Sequence, residues 1–260
     1  MPPSMLRAAA AVAAAAYQEG NQFAAAGDSA QAESAYRRAL AARPRFAEAW
    51  NNLGNVLSLA ARWDEAAACY RSALSCGLEH PLVRYNLGTT LRRRADWPGA
   101  TREFRRALAM APDYAEAWNN LSNLRRDEKR FDLACLGYLR ALRLRPDWEE
   151  AHDNLSAALY LLADAGATGE AAALAAQWRA AHPDHPLARH LGAALAGEAG
   201  DARAADDYVR QVFDVFAADF DERLAELDYR APQALAEALR SGGLLVDGAG
   251  LDVLDAGCGT

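Results

Sequence analysis

Apolar residues recur along this chain at helical spacing. Trp50, Leu53, Gly54 and Leu57 fall at i, i+3, i+4 and i+7, which is one face of a helix. Ala66, Tyr70 and Ala73 follow at steps of four and three, as a second face. Polar residues separate the two. Prolines at Pro44, Pro112 and Pro146 fall where a second helix must stop, since proline cannot extend one. The pattern predicts pairs of short amphipathic helices. Gly54 and Ala66 are small where the paired helices approach each other.

The pattern repeats. AEAWNNL occurs at 47–53 and again at 115–121, with VRYNLG at 83–88 between them. Asn52, Asn86, Asn120 and Asn154 are each 34 residues apart, and so are Leu53, Leu87, Leu121 and Leu155. Ala32, Ala66, Ala100 and Ala134 keep the same step, as do Tyr36, Tyr70, Phe104 and Tyr138. A helical pair cannot bury its apolar face alone, whereas stacked neighbours can. The units are placed at 13–46, 47–80, 81–114, 115–148, a looser 149–184, and 185–212, after an extension at 1–12. The fifth unit carries extra residues around AGATGE and lacks alanine at the expected small position. Arg125 stands where the pattern wants an apolar residue.

These residues resemble the tetratricopeptide repeat (TPR) family, whose pattern runs W-x2-L-G-x2-Y, then A-x3-F, then P, over 34 residues. The resemblance implies an all-α superhelix of about six repeats. It also implies a groove lined by first helices that holds a protein or peptide partner. Positions 5, 6, 9, 12 and 13 of each unit point into it. Asn52, Asn86, Asn120 and Asn154 form a row there, widened by Asn51, Asn55, Asn119 and Asn123. An asparagine amide both donates and accepts, so it pairs with a peptide backbone whatever the side chains. The row is similar to the asparagine ladder of protein O-GlcNAc transferases. The alternative is that the amides only bridge neighbouring helices. Arg92, Arg93 and Arg126, at positions 12 and 13, also face the groove; they suit an acidic partner, and the alternative is solvated arginine balanced by Asp127 and Glu128. Position 5 holds no lysine, which disfavours the carboxylate clamp of chaperone-binding TPRs.

After Tyr208 the period is lost. Phe213, Asp214, Phe216, Ala217, Phe220, Asp221 and Leu224 are followed by Tyr229 and Pro232, and then by LDVLDAGCGT at 251–260. Residues 213–260 resemble the entry to a class I S-adenosylmethionine-dependent methyltransferase, as in bacterial TPR–methyltransferase fusions. The resemblance implies a helical lead-in and the first strand of a Rossmann-like α/β domain, truncated at Thr260. Gly257 and Gly259, with Cys258, would form the loop around S-adenosylmethionine. Asp255 would orient it, and Phe220 and Asp221 would cap the site. Another Rossmann-like nucleotide binder stays open, because a glycine loop after a strand is widely shared. Residues 1–260 are expected to methylate nothing alone, because a single parallel strand cannot bury itself.

Composition trims the options. A net charge of -7 and a pI near 5.3 argue against nonspecific nucleic-acid binding. No segment approaches the roughly 20 apolar residues of a membrane span. The run RAAAAVAAAAY at 7–17 has features of a signal peptide, but Gly20, Ala32, Tyr36, Ala39 and Pro44 put it in register with the repeats. Cys69, Cys76, Cys135 and Cys258 lack zinc-ligand spacing and suggest a reducing cytoplasm. His182, His185 and His190 have no cysteine or carboxylate pairing to support a metal. Two functional readings remain. One is a methyltransferase to which the TPR array recruits substrate. The other is a non-catalytic interaction scaffold. Oligomeric state stays open.

Overall fold

The computed structural model describes residues 3–198. The chain divides into two compact units, Met1–Arg203 and Ala204–Thr260, and the second lies outside the described residues. The lead-in helix and strand expected over 213–260 fall there.

Eleven α-helices occupy the described residues, which contain no strand. They are α1 (Pro3–Ala25), α2 (Ser29–Ala42), α3 (Ala47–Leu59), α4 (Trp63–Ser75), α5 (Pro81–Arg93), α6 (Trp97–Met110), α7 (Ala115–Asp127), α8 (Phe131–Leu144), α9 (Glu149–Asp164), α10 (Thr168–Ala181) and α11 (Pro186–Leu195). α1 begins ahead of the first repeat and runs through residue 13 without a break. Helix starts carry local reasons. The Asp28 and Asp96 carboxylates accept from the Gln31 and Gly99 N–H groups at 3.0 Å, satisfying donors that the first turn leaves unpaired. Pro81, Pro98 and Pro186 stand in first turns, where a missing N–H costs nothing.

Each hairpin closes through a short turn with one residue in the left-handed region. These residues are Gly27, Ala61, Ala95, Lys129 and Gly166, with φ of 79, 56, 58, 60 and 90°. The core repeats as well. Tyr36, Tyr70, Phe104 and Tyr138 on the second helices are buried against the facing first helix. Gly20, Gly54 and Gly88 make room: a Cβ there would lie 2.6, 2.8 and 2.8 Å from those rings.

The fifth repeat departs from the sequence expectation. Its extra residues lengthen α9 to 16 residues, against 13 for α3, α5 and α7, and leave the turn short. The register after α9 therefore moves by three, and Ala171 supplies the buried alanine that was missing at the unshifted position. Large and small residues also trade places on α10. Ala175 stands where the other repeats have an aromatic ring, and Trp178 stands where they have alanine; both are fully buried. Arg125 is half-buried and donates from Nη1 to the Leu133 carbonyl at 3.2 Å.

First helices touch their counterparts in the next repeat, α3 with α5, α5 with α7 and α7 with α9. Over the first four repeats the second helices α2, α4, α6 and α8 do not come as close to one another, whereas at the fifth repeat α8 and α10 also meet. The first helices therefore line the inner side of the array.

Candidate functional site

The inner side is built from a repeated pairing of a phenol with an amide. The second-helix tyrosine of a hairpin donates to an asparagine 15 residues earlier on the first helix. Tyr36 Oη donates to Asn21 Oδ1 at 2.9 Å, Tyr70 Oη to Asn55 Oδ1 at 2.8 Å and Tyr138 Oη to Asn123 Oδ1 at 2.6 Å. Burial pushes all three phenols upward, so they stay protonated and donate. The asparagine row then bonds across repeats. Asn52 Nδ2 donates to Asn21 Oδ1 at 3.0 Å and to Tyr17 Oη at 3.2 Å. Asn86 Nδ2 donates to Asn55 Oδ1 at 3.1 Å, and Asn154 Nδ2 to Asn119 Oδ1 at 3.3 Å.

The sequence placed Asn52, Asn55, Asn86, Asn120, Asn123 and Asn154 on one strip, and the structure brings them there. Much of their capacity goes into holding one repeat to the next, which is the alternative the sequence left open. Asn123, with 7% of its surface exposed, is a core residue of the fourth hairpin. The partners not assigned to the strip, Asn21, Tyr17 and Tyr85, have a signal in the sequence, since they also sit at positions 5 and 9.

Among the first four hairpins the pairing fails once. In the third, Phe104 stands where the other three have tyrosine, and Thr89 where they have asparagine. Thr89 Oγ1 is buried without a hydrogen bond, although the Tyr85 phenol is near enough to feel it. Asn120 has no asparagine to reach there, and donates to Tyr85 Oη and to the Glu116 carbonyl, both at 3.0 Å. Asn51 Oδ1, on α3, is likewise buried and unpartnered. Arg92 lies one turn beyond Thr89 on α5, and its Nε has no acceptor. Arg126 donates from Nη1 to Asn154 Oδ1 at 3.1 Å. A face with unmet acceptors and donors at half-buried positions suits an extended chain better than a small molecule.

Histidines gather at the other end. His152, His182 and His185 meet around Trp178, with His152 stacked on His185 at 3.8 Å between ring centroids. His152 Nε2 lies 2.8 Å from the Pro146 carbonyl and can only donate to it, while Nδ1 accepts from Trp178 Nε1 at 2.9 Å. The ring is thereby held neutral in one tautomer. Among the described residues no group of His, Cys, Asp or Glu is arranged to hold a metal ion. Asp255, Gly257, Cys258, Gly259, Phe220 and Asp221, expected at a cofactor, lie outside the described residues.

The architecture defines a class: stacked antiparallel helical pairs with an inner groove of first helices. The tetratricopeptide repeat family matches residues 17–78 and 85–151. The helical array thus belongs to the tetratricopeptide repeat family. Solved structures share its fold. YrrB, described as a TPR protein with an unusual peptide-binding site, has 23% identity and a TM-score of 0.56, covering 67% of this chain and 89% of that chain. PilF of Pseudomonas aeruginosa has 21% identity and a TM-score of 0.58, covering 84% of this chain and 99% of its own. MamA from Desulfovibrio magneticus RS-1 has 14% identity and a TM-score of 0.56, covering 72% and 94%. At these identities the likeness is one of fold. No curated protein matches the sequence. Among the described residues no helix is long and apolar enough to cross a membrane.

Proposed function

We propose that the array is an interaction scaffold that holds an extended segment of a protein partner along its inner face. The observation that carries this reading is the unmet hydrogen bonding on adjacent first helices, at Asn51 Oδ1 on α3 and Arg92 Nε on α5. A buried polar atom without a partner costs about 1–3 kcal/mol, and a peptide backbone offers both a donor and an acceptor. Asn52, Asn86 and Asn120 flank these atoms and, with Asn55, Asn123 and Asn154, set the spacing of the strip. YrrB lends support as a fold neighbour with a peptide-binding site. The test is a phage-displayed library of random twelve-residue peptides panned against the immobilised chain. Selected peptides should bind Asn86→Ala about tenfold more weakly, the scale of one lost interaction of 1.4 kcal/mol. A library that yields no binder, or binders indifferent to the inner-face substitution, removes the reading. Cys69 and Cys135 are buried free thiols, pushed up to about 11 and about 12 by burial. They fit work in the cytoplasm.

A second reading rests on the sequence of the tail alone. DAGCGT at 255–260, after the aromatic lead-in at 213–232, supports a cofactor role in which Gly257 and Gly259 give the backbone room beside S-adenosylmethionine. Asp255, Cys258, Phe220 and Asp221 belong to the same proposal. The cofactor would supply a methyl group, and the array would recruit the acceptor. Calorimetric titration of S-adenosylmethionine into the chain and into Gly257→Val tests it. Binding by the parent chain that is lost in the variant supports the reading, and binding that the variant keeps ends it.

A further inference from the structure

The inner face carries charge that the array itself leaves unanswered. Arg92 on α5 and Arg126 on α7 occupy the same repeat position, 34 residues apart. Two other partly buried arginines are neutralised: Arg62 by Glu33 and Glu65 at 2.8 and 2.6 Å, and Arg84 by Glu79 and Glu103, both at 2.7 Å. Arg92 forms no salt bridge among the described residues, and its buried Nε finds no acceptor. The contact from Arg126 Nη1 to Asn154 Oδ1 has no counterpart between Arg92 and Asn120. The acid nearest Arg126 is the following Asp127, 3.9 Å away and 42% exposed. Arg92 and Arg126 hold equivalent positions on α5 and α7, and these two first helices touch. Other charges on this face lie on either side: Glu116 on α7, Arg93 on α5 and Asp153 on α9. Burial, with Glu149 and Glu150, holds the Asp153 carboxyl above its usual range.

A half-buried guanidinium loses part of its hydration, and without a counter-charge nothing offsets that loss. A carboxylate accepts from such a fork through two short charge-assisted hydrogen bonds. The break in the phenol–amide pairing at Phe104 and Thr89 opens this spot, one turn from Arg92. We infer that the segment bound in the groove is acidic, with an Asp or Glu carboxylate seated between Arg92 and Arg126. This rests on the peptide-groove reading and gives it a partner chemistry. The chain's net charge of -7 repels acidic peptides at long range, so any preference for them must come from this local pair.

The same random-peptide library, built from the twenty ordinary residues, tests the inference against the full chain and against the Arg92→Gln, Arg126→Gln double variant. Peptides selected by the parent should be enriched in Asp and Glu, and those selected by the variant should not. A fluorescein-labelled selected peptide should lose about tenfold or more in affinity when its acids become amides. That loss should vanish in the double variant. Arg92→Lys, which keeps the charge, should retain part of the preference, and unchanged helical circular dichroism separates charge loss from unfolding. Selected peptides without acid enrichment, or acidic peptides whose affinity ignores both arginines, overturn the inference and leave the peptide groove standing. A library with no binder at all overturns both.

Discussion

At the scale of single residues, each hairpin depends on a small residue facing a large one. Gly20, Gly54 and Gly88 admit the rings of Tyr36, Tyr70 and Phe104. α7 breaks this rule with Ser122, and α8 answers with Gly137, where the other second helices carry Ala35, Cys69 and Glu103. Any Cβ on Gly137 would run into Ser122 Oγ. The compensation predicts a coupled pair. Gly137→Ala should destabilise the chain by about 1–3 kcal/mol, the cost of overpacking a close-packed contact. Ser122 Oγ is buried without a partner, so Ser122→Gly gives up no hydrogen bond. Adding Ser122→Gly to Gly137→Ala should restore most of the loss. Urea midpoints of the two single variants and the double measure the coupling, and strict additivity would refute it.

At the scale of elements, a latch joins each hairpin to the one before. Trp50 Nε1 donates to the Pro44 carbonyl at 2.8 Å, and Trp118 Nε1 to the Pro112 carbonyl at 2.9 Å. His152 repeats the bond to Pro146 with a different ring. Where Leu78 replaces the proline, the tryptophan is gone too. Arg84 stands there and holds Glu79 on one side and Glu103 on α6 on the other. Trp118→Phe keeps the ring and removes the donor. It should cost about 0.5–1 kcal/mol, at the lower end because Trp118 is only half-buried and water can replace it. Thermal unfolding followed by circular dichroism reads the shift. Much of this level was legible in the sequence. The 34-residue step found the hairpins, because helix-facing residues repeat with the fold. It found the extra residues of the fifth unit but set them around AGATGE, whereas they lengthen α9, because a helix absorbs added residues without any break in the pattern. It did not find the exchange of Trp178 and Ala175. The asparagine row was legible as a row, but its partners were not. A bond between residues 15 or 31 apart, such as Tyr70 to Asn55 or Asn86 to Asn55, exists only once the hairpins are stacked. The same geometry turns the Phe104 and Thr89 exceptions into a defined gap.

At the scale of the whole array, stability is distributed along one dimension, because each repeat touches mainly its neighbours. A local loss therefore stays local, and the histidine cluster offers a way to impose one. His152 is 1% exposed, and both its ring nitrogens are committed, Nε2 to Pro146 and Nδ1 to Trp178. Burial, reinforced by His185 and His182, lowers its pKa from 6.5 to about 4, against the Pro146 carbonyl and Glu149. Burial and His185 lower His182 as well. A depressed histidine favours the neutral folded form. Its contribution is whole above about pH 6.5, falls as pH drops towards 4, and is lost below that. The loss from His152 is at most about 3 kcal/mol. Protonation puts a second N–H on the ring facing the Trp178 donor, so the hydrogen bond between α9 and α10 goes first. Hydrogen exchange, corrected for intrinsic rates, should show protection in α9, α10 and α11 falling between pH 6.5 and 4.5, while α3 to α6 hold. His152→Gln keeps one donor and one acceptor and cannot titrate. The difference between parent and variant should flatten the pH response of α9 to α11 and leave the rest unchanged. Equal acid sensitivity in the two chains would show that carboxylates, not this ring, set the response.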